Sequence, residues 1–165
     1  MKSKVKLDNI HSELKTEKTW VVWREEQIGS KSTKIPYYVM NNKLVPAKSN
    51  DSNTWMSFKK AVRTYEQFNL NGIGFVTSDK NDIVGIDIDD CIDKDGNLNG
   101  KTKRIVNLLQ SYTEISPSGR GLRIFARGHL PKGRRRKKGF EVYDCNHYLT
   151  VTGNQLKDTP NIINN

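Results

Sequence analysis

Cysteine, acid and long apolar runs are all scarce in this chain. Its two cysteines, Cys91 and Cys145, form no CxxC pair among 165 residues. That excludes a disulfide scaffold or a zinc ribbon and points to a reducing, cytoplasmic setting. No apolar run approaches the roughly 18 residues of a spanning helix, so no membrane partner is expected. The basic start has no apolar stretch behind it, so no secretory signal is expected either. Acid is outnumbered: Asp+Glu is 18 against Lys+Arg 28, a net charge of +10. Such an excess favours polyanionic partners. Hydrophobic residues are only 35%, but they are periodic, which excludes global disorder. The length suits one domain and is too short for a helicase or a large barrel.

The apolar pattern predicts the elements. Residues 20–24 read as a strand, 29–33 as a polar turn and 35–40 as a second strand, with Pro36 at an edge. Trp55, Phe58, Val62, Tyr65 and Phe68 recur three to four apart and predict an amphipathic helix capped by Asn53. Residues 72–76 and 82–89 are two more strands, and 101–112 a second helix. Residues 121–126, 140–143 and 147–152 complete a strand-rich second half. This order predicts an α+β fold, a mixed or antiparallel sheet with helices packed on it. The polar end of the chain is expected to be loosely held.

Within Ile83-Val-Gly-Ile-Asp87-Ile-Asp89, alternation sends Val84, Ile86 and Ile88 to one face and Gly85, Asp87 and Asp89 to the other. Two carboxylates about 7 Å apart on one face repel unless a cation joins them. Hard divalent ions take such oxygen ligands together with substrate phosphates. Gly85 is expected to leave room there for a ligand. A strand running into a turn accounts for the same pair without a metal.

The loop Ser116-Pro-Ser118-Gly119-Arg120-Gly121 opens a strand and can offer backbone N–H groups to phosphate. A plain hairpin turn is the competing reading. On the strand that follows, Arg123 and Arg127 share a face. From Arg120 to Lys138 there are nine basic residues and no acid. Arg120, Arg127, Lys132, Arg134, Arg135, Arg136, Lys137 and Lys138 are therefore candidate contacts to nucleic acid, with strongly salt-dependent binding. Further on, alternation puts Glu141 and Tyr143 opposite Phe140 and Val142. Brought beside Asp87 and Asp89, Glu141 would complete a two-metal site for phosphoryl transfer. Asp144 competes for that place, although alternation puts it on the Phe140 face.

The runs Trp20-Val-Val-Trp-Arg24, Thr33-Lys-Ile-Pro-Tyr37, Ser49-Asn-Asp with Thr54-Trp55 and Gly72-Ile-Gly-Phe75 follow one another in a recognisable order. Gly85-Ile-Asp-Ile-Asp89, Tyr112-Thr-Glu-Ile-Ser-Pro-Ser-Gly119 and Glu141-Val-Tyr143 through Thr150-Val-Thr-Gly153 continue it. Together they resemble the N-terminal primase-polymerase domain of phage and mobile-element replication proteins, in the archaeo-eukaryotic primase superfamily. The resemblance spans 19–154. It implies an RRM-like catalytic sheet and template-directed nucleotidyl transfer. Two Mg²⁺ or Mn²⁺ ions would be held by Asp87, Asp89 and Glu141. It also implies NTP or dNTP substrates, a single-stranded or primed DNA template and a replicative helicase on a separate chain. Ser118 and Gly119 match the family's second motif, but Arg123 stands where that motif carries histidine. His147-Tyr148 stands where the last motif often reads Arg-Tyr. Arg123 and His147 are therefore expected to hold the triphosphate together.

Two functional classes stay open on these grounds. One is the nucleotidyltransferase. The other is a catalytically weak or inactive module that binds single-stranded DNA as a replication accessory, favoured by the arginine at 123. The expected organisation is an N-terminal extension (1–18), a core (19–154) and a flexible polar tail (155–165).

Overall fold

The run Trp20-Val-Val-Trp23 is buried at both faces because it forms the centre of a sheet. In a computed structural model, which describes residues 4–165, it opens β1 (Trp20–Ile28). The first three residues of the expected N-terminal extension lie outside the described residues. β1 pairs with β2 (Lys31–Met40) on one side and β4 (Gly72–Thr77) on the other. β3 (Lys43–Pro46) extends the sheet beyond β2, and β10 (His147–Val151) beyond β4, giving the order β10-β4-β1-β2-β3. A second five-stranded sheet runs β6 (Thr113–Ile115), β7 (Leu122–Arg127), β5 (Ile83–Ile88), β9 (Phe140–Tyr143) and β8 (Arg136–Lys137). Every pairing in both sheets is antiparallel. The fold is α+β, as expected, but the single sheet is two.

Each sheet has its own helix. α2 (Phe58–Gln67) packs on the first sheet through Ala61 and Tyr65, next to Trp20, Val22, Ile73 and Phe75. α3 (Gly100–Leu109) covers Val84, Ile86, Ile88, Leu122 and Ile124 of the second with Val106. Alternation along β5 is as read from the sequence: its aliphatic side chains go to the helix. The other face of the second sheet meets the first sheet, where Phe75 and Phe125 pack edge to face at 5.9 Å.

Several boundaries differ from expectation. α2 starts later and is capped by Ser57, whose hydroxyl accepts from the Lys60 N–H at 3.3 Å. Asn53 does not cap it, because Met56 is tied to Trp20 by two backbone hydrogen bonds and cannot be helical. The expected polar turn over 29–33 is mostly strand. Beyond Trp23, β1 and β2 form an exposed two-stranded ribbon, so polar residues there are solvated without being loop. A short α1 (Ser12–Thr16) precedes β1.

Neither end of the described chain hangs free. Val5, Ile10 and Leu14 belong to the same core as Trp20. The tail is also held: Tyr112 N–H donates to Ile162 O at 2.7 Å, Arg127 N–H donates to Asn164 O at 2.7 Å, and Ile163 is buried. Its polar composition hid two apolar anchors and a row of backbone hydrogen bonds. Among the described residues no helix is long and apolar enough to cross a membrane.

Candidate active site and nucleic-acid face

One residue from each strand of the second sheet falls into a single row. Register pairs Glu114 with Arg123, Arg123 with Asp87, Asp87 with Glu141 and Glu141 with Arg136. Directly paired residues share a face, so this is a charged band across β6, β7, β5, β9 and β8. It lies on the face turned away from α3. Asp89, just past β5, continues that face at an exposed position, and its N–H donates to Gly139 O at 2.8 Å.

The members of the band are not alike. Asp87 and Arg123 are both largely buried and form an ion pair. Arg123 Nη1 also donates to Leu122 O at 3.1 Å, while its Nε is buried without a partner. Burial pushes the Asp87 carboxyl up to about 6; Arg123 opposes that, and the charges of Asp89 and Glu141 add to it. Glu141 is held by Arg136 at 2.8 Å and by the Tyr143 hydroxyl at 2.9 Å. Burial acts to raise its carboxyl, but these donors outweigh it and leave the value below the usual range. His147, on β10, stacks on Tyr143 at 3.7 Å. Burial holds its imidazole below its ordinary value, with Glu141 opposing. Lys34 of β2 contributes positive potential at Asp87 and lies over the Trp23 ring at 5.8 Å.

Glu114 is fully buried at the far end of the band. It accepts from the Tyr112 hydroxyl at 2.6 Å, the Thr152 N–H at 2.7 Å and the Gly153 N–H at 3.0 Å. Burial pushes its carboxyl up and those donors hold it back. It ties β6 to the end of β10 and so fixes the strand that carries His147.

The structure thus brings Asp87, Asp89, Glu141, Arg123 and His147 to one region. Among the described residues, however, no three His, Cys, Asp or Glu side chains form a ready-made metal-ligand group. Asp87 and Glu141 are turned to arginines. Asp87, Asp89 and Glu141 nonetheless suit a hard cation. They are oxygen donors on one face, and the most buried of them is disfavoured as an anion.

The loop at 116–121 is the turn between β6 and β7, beside Asp89. Its Gly119, Arg120 and Gly121 N–H groups donate within the turn, to Ser116 O, Ser118 Oγ and Ser116 Oγ. It is therefore an internally bonded turn, not an open cradle of amides. Ser118 and Gly119 stand exposed at its tip. The space above Gly85 is also filled: a Cβ there would run into the Leu149 side chain. Gly85 admits the first sheet, not a ligand.

The basic run partly forms β8, at the sheet edge beside Glu141. Lys132, Arg134, Lys137 and Lys138 are exposed, whereas Arg135 faces Asp144 at 3.6 Å and Arg136 faces Glu141. Arg120 pairs with Asp90 at 3.1 Å. Arg127 stands apart: it lies at the opposite end of β7 and pairs with Glu13. Tyr143 was missed as a site residue, although its alternation with Glu141 placed it on the same face. Glu114 was missed because nothing local marks it as buried.

No family model matches the chain. A search of curated proteins finds a relative, the DNA primase-polymerase of Nitratiruptor phage NrS-1. It is 35% identical over 141 residues, which are 81% of this chain and 19% of that protein. The chain thus spans about one fifth of the length of the curated relative it matches.

Proposed function

As the chain belongs to the primase-polymerase family of phage replication proteins, we propose that it is a template-directed nucleotidyltransferase acting on single-stranded or primed DNA with NTPs or dNTPs. The observation that carries this is the register of Asp87 against Glu141, with Asp89 on the same face and an exposed basic edge alongside. Asp87, Asp89 and Glu141 are the residues that would hold Mg²⁺ or Mn²⁺. When bound there, such an ion would supply Lewis-acid chemistry for an attacking hydroxyl and a leaving pyrophosphate. Arg123 and His147 orient the triphosphate, Arg123 by permanent charge and His147 as a hydrogen-bonding neutral ring. Ser118 and Gly119 border that position. Arg134, Lys137 and Lys138 hold the template backbone. Lys132, Arg135 and Arg136 border the same edge, and Arg120, on the loop between β6 and β7, is a further candidate contact.

The ion pair of Arg123 with Asp87 favours one alternative, an accessory module that binds single-stranded DNA without chemistry. Incubation with primed and unprimed template, labelled NTPs or dNTPs, and Mg²⁺ or Mn²⁺ separates the two. The expected result is product from the natural chain and none from Asp87→Ala/Asp89→Ala. Absence of product from both proteins, with salt-sensitive DNA binding retained, selects the accessory module.

A further inference from the structure

The charge balance around Asp87 differs from that of three free carboxylates. Asp87, Asp89 and Glu141 together bring three negative charges. Arg123 brings one positive charge that cannot be titrated away, because a guanidinium stays protonated in proteins. It is not a rim residue free to swing out. Its side chain is 9% exposed, its partner Asp87 is 15% exposed, and it is fixed by bonds to both Asp87 and Leu122 O. Arg136, the cation on Glu141, is 69% exposed and can leave. Among the described residues Asp89 has no ion-pair partner. With Arg123 fixed on Asp87, Asp89 and Glu141 are the two carboxylates left to take a cation.

We infer that Arg123 is a built-in cation that takes the place of one metal ion, so that the site accepts a single divalent ion, held by Asp89 and Glu141. This rests on the metal-site reading above and narrows it, because Asp87 then serves Arg123 and not the ion. It makes Arg123 more than a phosphate ligand: its Nη1 serves Asp87. Its Nε is buried without a partner. A second divalent ion at Asp87 would have to displace a buried guanidinium, which would then have no counter-charge.

The test is a count of bound Mn²⁺ by titration of the free-ion EPR signal against the intact chain, with circular dichroism to verify folding. The natural protein and Arg123→Lys, which keeps the charge, are expected to bind one ion per chain. Arg123→Gln, which removes it, is expected to bind two. A natural-protein count of none or two overturns the inference, as does an Arg123→Lys count other than one. So does a folded Arg123→Gln that still binds one. Should Arg123→Gln not fold, the natural-protein and Arg123→Lys counts decide alone. No nucleotide or template enters this measurement. A chain that makes no product but binds one Mn²⁺ keeps the inference and loses the proposed activity; a chain that extends primers with two bound ions does the reverse.

Discussion

Asp87 is held in a setting that disfavours its charge. Burial raises its carboxyl from 3.8 to about 6, with Arg123 offsetting only part of that. Between those values the folded chain keeps a proton that the unfolded chain releases, so this residue's contribution to stability falls as pH rises through that window. A shift of that size corresponds to about 3 kcal/mol. Asp87→Asn should therefore gain on the natural protein by about 3 kcal/mol between about pH 3.5 and pH 7 in urea unfolding. Parallel stabilities across that range would show that Arg123 already compensates the carboxylate in full. The Asp87 and Asp89 pair was legible because strand alternation depends only on spacing, whereas spacing left Glu141 and Asp144 in competition and only the β5–β9 register sets Glu141 opposite Asp87. Arg123's engagement with Asp87, the Leu149 side chain over Gly85 and the burial of Glu114 were not legible. Each depends on what a distant strand contributes, and spacing carries no such information.

At the level of elements, the basic run divides by what each cation already holds. Arg135 and Arg136 face Asp144 and Glu141, while Lys137 and Lys138 are exposed on and beside β8. Basic residues on an edge strand also discourage pairing with other chains, so their number alone does not measure DNA contact. Salt dependence does. Lys137→Gln/Lys138→Gln should lower the slope of log K against log salt for a labelled single strand by about 1.4, since each lost phosphate contact removes roughly 0.7. Arg127→Gln should leave the slope unchanged, because Arg127 lies at the far end of β7 against Glu13. Equal slopes for all three proteins in fluorescence anisotropy would remove the edge strand from the DNA interface. The composition of this run was plain in the sequence. Its folding back as a strand beside Glu141 was not, since two residues of β8 carry no periodicity to read.

Across the whole molecule, the second sheet has two edge strands, β6 and β8, and the chain treats them differently. The β8 edge is left open and basic. The β6 edge is covered by the C-terminal segment: Ile115 N–H donates to Asn154 O at 2.8 Å and Leu156 N–H to Thr113 O at 2.8 Å. Leu156 packs at the rim of the α3 core, and Ile163 is buried with Tyr112 and Phe125 in the core shared by both sheets. The same segment meets the N-terminal region, where His11 Nε2 lies 3.1 Å from Asn161 O. Covering a strand edge both satisfies its backbone groups and denies them to another chain. Removing residues 155–165 should therefore do two things. Lost burial of Ile163 and Leu156, with loss of the backbone hydrogen bonds that Leu156 and Ile162 make to Thr113 and Tyr112, should cost about 2–4 kcal/mol in urea unfolding. The bared β6 edge should also make the shortened chain self-associate with rising concentration in sedimentation velocity, while the full chain does not change. A shortened chain that matches the full one in both measurements would mean that β6 is held by Glu114 and β7 alone, and that the segment is an ornament on a sheet already complete.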